Sequence, residues 1–287
     1  MNQNHFLIKP GTKTKLADFD PSYTAKFKSR EEATTKLEKD IERLRKYQDI
    51  LYAQNTYALL VIFQAMDAAG KDSAIKHVMS GVNPQGTQVI SFKAPSAGEL
   101  DHDYLWRCNK ALPERGRIGI FNRSYYEEVL IVRVHTEILD AEQLPQECLK
   151  GIWKTRFEQI NSFERYLIQN GTHVLKFYLN VSKAEQKRRF LARIERPEKN
   201  WKFSLADVKE RGHWDHYMQA YENAFKYTST KWAPWYVIPA DNKWFTHVAV
   251  ADLIVAKLKS LKLAYPTVSK QHLEELSIAR KALESEP

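Results

Sequence analysis

Residues Tyr57 to Ser73 read Y-A-L-L-V-I-F-Q-A-M-D-A-A-G-K-D-S, and the fold follows from how this stretch divides. Leu59, Leu60, Val61, Ile62 and Phe63 make an apolar run with the length and composition of a strand buried on both faces. The run breaks into Ala65-Met66-Asp67-Ala68-Ala69-Gly70-Lys71-Asp72-Ser73, after which Ile75, Val78 and Met79 keep a helix-compatible spacing. A strand, a small-residue loop ending in Gly-Lys, and then a helix is the order of a phosphate-binding loop. Small side chains let backbone N–H groups approach phosphate oxygens, the helix N-terminus adds positive potential, and Lys71 supplies a mobile cation. The strict pattern has Gly where Ala65 stands and Ser or Thr where Asp72 stands. Asp67 and Asp72 thus put two carboxylates beside the expected phosphates. Acids next to a polyanion call for cations between them, which points to Mg²⁺. The competing reading is a tight strand-to-helix turn with Lys71 in solvent.

Further along, Arg117-Ile118-Gly119-Ile120-Phe121-Asn122-Arg123-Ser124-Tyr125-Tyr126-Glu127-Glu128 repeats the logic with a short apolar strand ending in polar groups. Ligands of open parallel sheets sit beyond the carboxyl ends of the strands, so Asn122, Arg123, Glu127 and Glu128 are expected to face the crevice of Lys71. An internal ion pair is the alternative for Arg123 and Glu127. A helix carrying Arg133 and His135 is expected next. A third signal is the basic stretch from Lys187 to Arg211, with Arg188, Arg189, Arg193, Lys199, Lys202 and Arg211 broken at Pro197. Two helical arms joined by a tip could close over phosphates and exclude water. A solvated charged face is the bland alternative.

Around these signals the chain reads as an alternation of strands and helices. Residues 1–28 look like an irregular arm. Helices are expected over 29–52, 98–111, 142–170, 212–228 and 244–261, with further strands at 87–92, 172–181 and 235–240. Residues 269–286 read as a separate amphipathic helix. Five strands alternating with helices give an α/β, doubly wound parallel sheet with right-handed connections.

The length of 287 residues suits one domain with appendages. Lys and Arg number 44 against 35 acids, a net charge of +9 that favours polyanionic partners or simply a soluble basic protein. Cys108 and Cys148 lie far apart, with neither metal-ligand nor disulfide spacing, which implies a reduced, cytoplasmic compartment. No signal peptide or membrane span is expected.

With these pieces in order, the sequence resembles the family-2 polyphosphate kinases. The resemblance is carried by Met66 to Asp72, by Phe121-Asn122-Arg123-Ser124-Tyr125-Tyr126-Glu127, and by the hairpin from Arg188 to Arg211. It implies a phosphate-loop kinase (thymidylate-kinase-like) fold with a helical cationic lid at about 183–213 inside a domain of 29–262, and a helical tail over 263–287. It also implies Mg²⁺-dependent, reversible transfer of phosphoryl groups between inorganic polyphosphate and nucleoside mono- and diphosphates, AMP, ADP or guanine equivalents. By position, Asp67, Lys71, Arg123 and Glu127 are the implied catalytic set. Ala68, Ala69, Gly70, Asp72, Ser73, Asn122, Glu128 and Arg133 are implied to bind nucleotide or phosphate. Arg188, Arg189, Arg193, Lys199, Lys202 and Arg211 form the implied lid, and Asp67, Asn122 and Glu127 the implied metal site. Many members carry Asp where Asn122 stands. The Asn-Arg-Ser-Tyr-Tyr-Glu form resembles the subclass using both acceptors, while an Asp→Asn replacement that impairs metal binding is the other reading.

The resemblance and the extra amphipathic helices suggest a homo-oligomer, dimer or tetramer. One rival is an ATP-dependent nucleotide kinase, which would not need so long a cationic surface. Another is a basic polyanion- or nucleic-acid-binding protein with a degenerate nucleotide site, for which the sequence lacks an RNA-recognition signature, zinc spacing or basic tail.

Overall fold

The computed structural model describes residues 1–27 and 29–286. Strands β1 (Ala58–Gln64), β2 (Thr87–Ser91), β3 (Ile118–Asn122), β4 (Thr172–Asn180) and β5 (Trp235–Pro239) form one sheet in the order β2-β3-β1-β4-β5, all parallel. The strand expected to be buried on both faces lies at the centre, and every residue of β1 is buried. The longer helices are α1 (Arg30–Gln54), α2 (Lys71–Val78), α3 (Ile152–Gln169), α4 (Lys183–Glu195), α5 (Leu205–Gly212), α6 (Trp214–Thr228), α7 (Lys243–Ser260) and α8 (Lys270–Glu284). One group, α1, α2 and α7, packs together; α3 and α6 pack on each other, with α3 against β4. This is the doubly wound α/β arrangement expected from the sequence. Among the described residues no helix is long and apolar enough to cross a membrane.

Register decides where the site lies. Phe63 of β1 pairs with Asn122 of β3, so the end of β3 opens beside the start of the loop after β1.

Three expected helices need correction. The one expected over 98–111 is two short turns, Ala97–Leu100 and Trp106–Lys110. Between them the Asp103 carboxylate accepts from the Leu105 amide at 2.9 Å, a local bond that competes with helix continuation. The helix expected over 142–170 begins only at Ile152, because Gly151 sits at φ +68° as its N-cap and Pro145 precedes it. The helix expected around Arg133 is a 3₁₀ segment, Tyr125–Val129, followed by one α-turn, Ile131–Val134.

The N-terminal arm, read as irregular, is bound to the core. Phe6 and Ile8 are buried, and the arm pairs with β5 through Ile8 N to Trp235 O at 2.9 Å and Val237 N to Phe6 O at 2.8 Å. It covers backbone groups that an edge strand would otherwise leave unpaired. By contrast α8 contains no buried residue.

Candidate active site

The loop after β1 needs two residues at positive φ, Ala68 at +60° and Gly70 at +110°. The second is where glycine is required. A Cβ there would find ordinary contacts, Arg189 Nη1 and Lys243 Cε at 3.8 Å, so the backbone conformation and not space excludes other residues. Lys71 opens α2 and folds back, its Nζ donating to the Ala65 carbonyl at 3.1 Å. It therefore caps the loop and does not extend into solvent. Burial lowers its pKa, and the Asp67 carboxylate works against that shift.

The end of β3 meets this loop. Arg123, at φ +67°, donates its backbone N–H to the Phe63 carbonyl and reaches Asp67 Oδ1 with Nη2 at 3.0 Å. The ion-pair alternative is thus realised, but with Asp67 as partner and within the cleft. The Asn122 amide donates to Asp72 Oδ1 at 2.7 Å and approaches Ser91 Oγ at 3.4 Å. Glu127 lies behind Arg123 in a small recess shared with Asp67, Tyr217 and Tyr221. Burial raises its pKa, opposed by the charges of Arg123 and Lys71.

Two expected ligands lie outside the phosphate cleft. Glu128 is turned into a side cleft, where Arg156 Nε donates to it at 2.7 Å. Burial first, and then Glu142, push its pKa up to about 8. Arg133 lies 5.8 Å over the rings of Trp153 and Phe157 and lines none of the clefts around the loop. Its aromatic partners hold it away from these clefts. The expectation for Arg133 is corrected accordingly, whereas Glu128 lines the side cleft together with Arg123 and Glu127.

The basic hairpin runs through α4, a short turn at Pro197–Asn200 and α5. Between it and the loop is a cleft of about 540 Å³. Ten cationic side chains line it against two carboxylates. Lys71, Arg123, Arg188, Arg189, Arg193, Arg196, Lys199 and Lys202 come from the expected loop, strand end and basic hairpin; Lys93 and Lys243 do not. The acids are Asp67 and Asp72.

Arg189 differs from its neighbours. It is 7% exposed, and its guanidinium donates to the carbonyls of Ala68 (2.9 Å), Ala69 (2.7 Å), Ala240 (2.6 Å) and Asp241 (3.0 Å) and to Glu185 (2.7 Å). Its donors tie the hairpin root to the loop, leaving little for a ligand. Arg211 likewise donates to the Lys183 carbonyl and Gln186 Oε1, and Gln186 Nε2 reaches the Asp67 carbonyl at 2.9 Å. Arg188 is exposed and pairs with Glu185. Arg189→Ala should cost about 3 kcal/mol of stability through orphaned buried groups. Arg188→Ala should change stability by less than about 0.5 kcal/mol. Urea unfolding of the two variants measures the contrast.

Behind the loop, Ser73 Oγ lies 3.2 Å from His247 Nε2, and His247 stacks on His77 with ring centroids 4.3 Å apart. Burial pushes His247 down to about 4, with His77 and Lys243 adding to the effect. His173 is pushed to about 4 by burial and Lys257. The folded chain keeps both rings neutral where an unfolded chain protonates near 6.5. It therefore binds fewer protons between about pH 4 and 6.5, and stability should fall as pH drops through that window. His135 opposes this: Glu210 and Glu137 outweigh burial and raise its pKa, so its contribution is present at low pH and lost as pH rises. The thermal midpoint of His247→Gln should accordingly fall less on acidification from about pH 7.5 to about pH 4.5 than that of the unaltered chain.

A parallel sheet with a lysine-bearing loop at its switch point, facing a cationic helical hairpin, defines an α/β protein of the phosphate-loop kinase type. The family description Polyphosphate kinase 2 (PPK2) matches residues 27–265, and the chain belongs to that family. The ADP-polyphosphate phosphotransferase of Rhodopseudomonas palustris is 50% identical over 280 residues, 97% of each chain. The AMP/ADP-polyphosphate phosphotransferase of Meiothermus ruber is 42% identical over 262 residues, 91% of this chain and 94% of that one. The crystal structure of Polyphosphate Kinase 2 from Arthrobacter aurescens TC1 aligns with a TM-score of 0.84 at 38% identity, covering 95% of this chain and 98% of that one.

A kinase of this family implies a divalent metal. Among the described residues no group of three or more His, Cys, Asp or Glu is placed to hold a metal ion. The donors on the cleft wall are the carboxylates of Asp67 and Asp72. Two hard oxygen donors suit a metal whose remaining positions are filled by substrate phosphates and water.

Proposed function

We propose that this chain catalyses reversible phosphoryl transfer between inorganic polyphosphate and nucleoside mono- and diphosphates, with Mg²⁺ as the metal. The observation that carries the donor is the cleft lining, ten cations against two carboxylates, an excess suited to a polymeric anion. A second cleft of about 320 Å³ shares Phe92, Lys93 and Arg123 with the first and has the size and apolar walls for a nucleoside.

In this reading an acceptor phosphate oxygen attacks the terminal phosphorus of the chain in line. One O–P bond forms as the bond to the shortened chain breaks, without a phosphorylated enzyme. The acceptor is already ionised, so no strong general base is needed. Lys71 and the loop N–H groups hold the transferring group, Arg123 offsets charge on its oxygens, and Glu127 orients Arg123 from behind. Arg193, Lys199, Lys202, Lys93, Arg196 and Lys243 bind the chain, and Arg189 and Arg211 fix the hairpin. Asp67 and Asp72 would hold Mg²⁺, which when bound neutralises phosphate charge. Asn122 orients Asp72 in place of ligating metal directly. The free thiols of Cys108 and Cys148 accord with a cytoplasmic enzyme, and assembly into a dimer or tetramer is part of the proposal.

The test is product analysis after mixing the protein with Mg²⁺, polyphosphate and either AMP or ADP, without ATP. ADP and ATP from AMP support the dual-acceptor reading; product from ADP alone restricts the acceptor. Silence with both, with activity in Asn122→Asp, would make Asn122 a disabling residue. Silence in both forms while ATP phosphorylates AMP would overturn the proposal in favour of an ordinary nucleotide kinase.

A further inference from the structure

Beneath the turn that follows β3 lies a buried ion pair that lines none of the three clefts described above. Lys176 of β4 and Glu164 of α3 are both 0% exposed, with Nζ 2.6 Å from Oε2. Lys176 spends its other two donors on the Tyr126 hydroxyl at 2.9 Å and the Thr228 carbonyl at 2.8 Å. Glu164 Oε1 accepts from the hydroxyls of Tyr125 at 3.0 Å and Tyr126 at 2.8 Å. Neither charge lines the phosphate cleft or the nucleoside cleft.

Such a pair is a poor device for stability. Desolvation of two charges consumes most of their attraction, and well-packed apolar replacements are often as stable or more so. What this pair does hold is position. Tyr125 and Tyr126 lie between Arg123, at φ +67°, and Glu127. The other side of the turn is pinned by Gln64 Nε2 donating to Ser124 Oγ at 3.1 Å, and the same oxygen accepts from the Tyr126 amide at 3.1 Å. A non-glycine residue persists at positive φ only where its surroundings over-determine it, and here buried hydrogen bonds clamp both ends.

We propose that Lys176 and Glu164 are positioning residues for phosphoryl transfer, acting through the Tyr125 and Tyr126 hydroxyls to hold Arg123 and Glu127 in register with the phosphate loop. The assignment rests on the function proposed above. Misplacing a reacting group by about an ångström can cost on the order of a hundredfold in rate, so the effect belongs in turnover and not in substrate affinity.

The decisive variant replaces the whole network with apolar groups: Lys176→Met, Glu164→Leu, Tyr125→Phe and Tyr126→Phe together. It should melt within a few degrees of the unaltered chain, with kcat reduced about 10- to 100-fold and KM for polyphosphate within about twofold. A folded variant with unaltered kcat, or with a loss confined to KM, would overturn the assignment. Should that variant not fold, Tyr125→Phe with Tyr126→Phe decides on the same readouts, since it keeps the Lys176–Glu164 contact and removes the hydroxyls that link it to the turn. Product formation by the unaltered protein tests the reaction itself, so the ratio of variant to unaltered kcat tests this assignment alone.

Discussion

Asp67→Asn is expected to lower turnover by about 10²- to 10³-fold while leaving the fold intact. The carboxylate is partly exposed and pairs with Arg123 at 3.0 Å, so its loss should cost no more than about 1 kcal/mol of stability. What it contributes is charge at the point where the loop, Arg123 and the proposed metal meet. The amide keeps the shape and an oxygen that can accept from Arg123 but removes the negative charge needed to hold a divalent cation. The loss should therefore appear in kcat and in a raised Mg²⁺ requirement. Thermal melts and initial rates across Mg²⁺ concentrations check both. Retained turnover in a folded variant would remove Asp67 from the machinery.

The second large effect is expected from Lys71→Met. Turnover should again fall about 10²- to 10³-fold, because the cation that the loop places beside the transferring phosphate is lost. Here stability should hold or rise. Burial lowers the pKa of Lys71, so the ligand-free fold carries a charge it holds less readily than water does, and methionine removes that penalty at similar length. Ligand response should separate the two states. Tripolyphosphate should raise the melting temperature of the unaltered chain by mass action and raise that of Lys71→Met markedly less. An equal rise in both would mean that Lys71 does not touch the phosphates.

The parts of this architecture legible in the sequence were those set by local pattern. The apolar run of β1, the Gly-Lys that ends its loop and the break at Pro197 each announce themselves within a few residues. Helix continuity over 98–111 and 142–170 was misread, because a single Asp103 turn bond and one glycine at positive φ override an otherwise helical spacing. The N-terminal arm was misread for a different reason. Its pairing with β5 joins residues more than two hundred positions apart, and such contacts leave no periodic trace. The lid arginines show the finest limit. Arg188 and Arg189 are adjacent and chemically identical, yet one is exposed and the other supports the hairpin root. A rotation of about 100° along a helix separates them, and only the packing of α4 tells which way the helix faces. Lys93 and Lys243 lay outside every motif and enter the cleft from strand and helix ends brought together by the sheet order.

The most direct test of the central claim uses polyphosphate labelled at its terminal phosphate, mixed with the protein, Mg²⁺ and ADP in the absence of ATP and quenched at successive times. Direct in-line transfer predicts that label appears in the terminal phosphate of ATP, without earlier accumulation on the protein. Label that first collects on the protein and then chases into ATP, or that never reaches nucleotide, would contradict it.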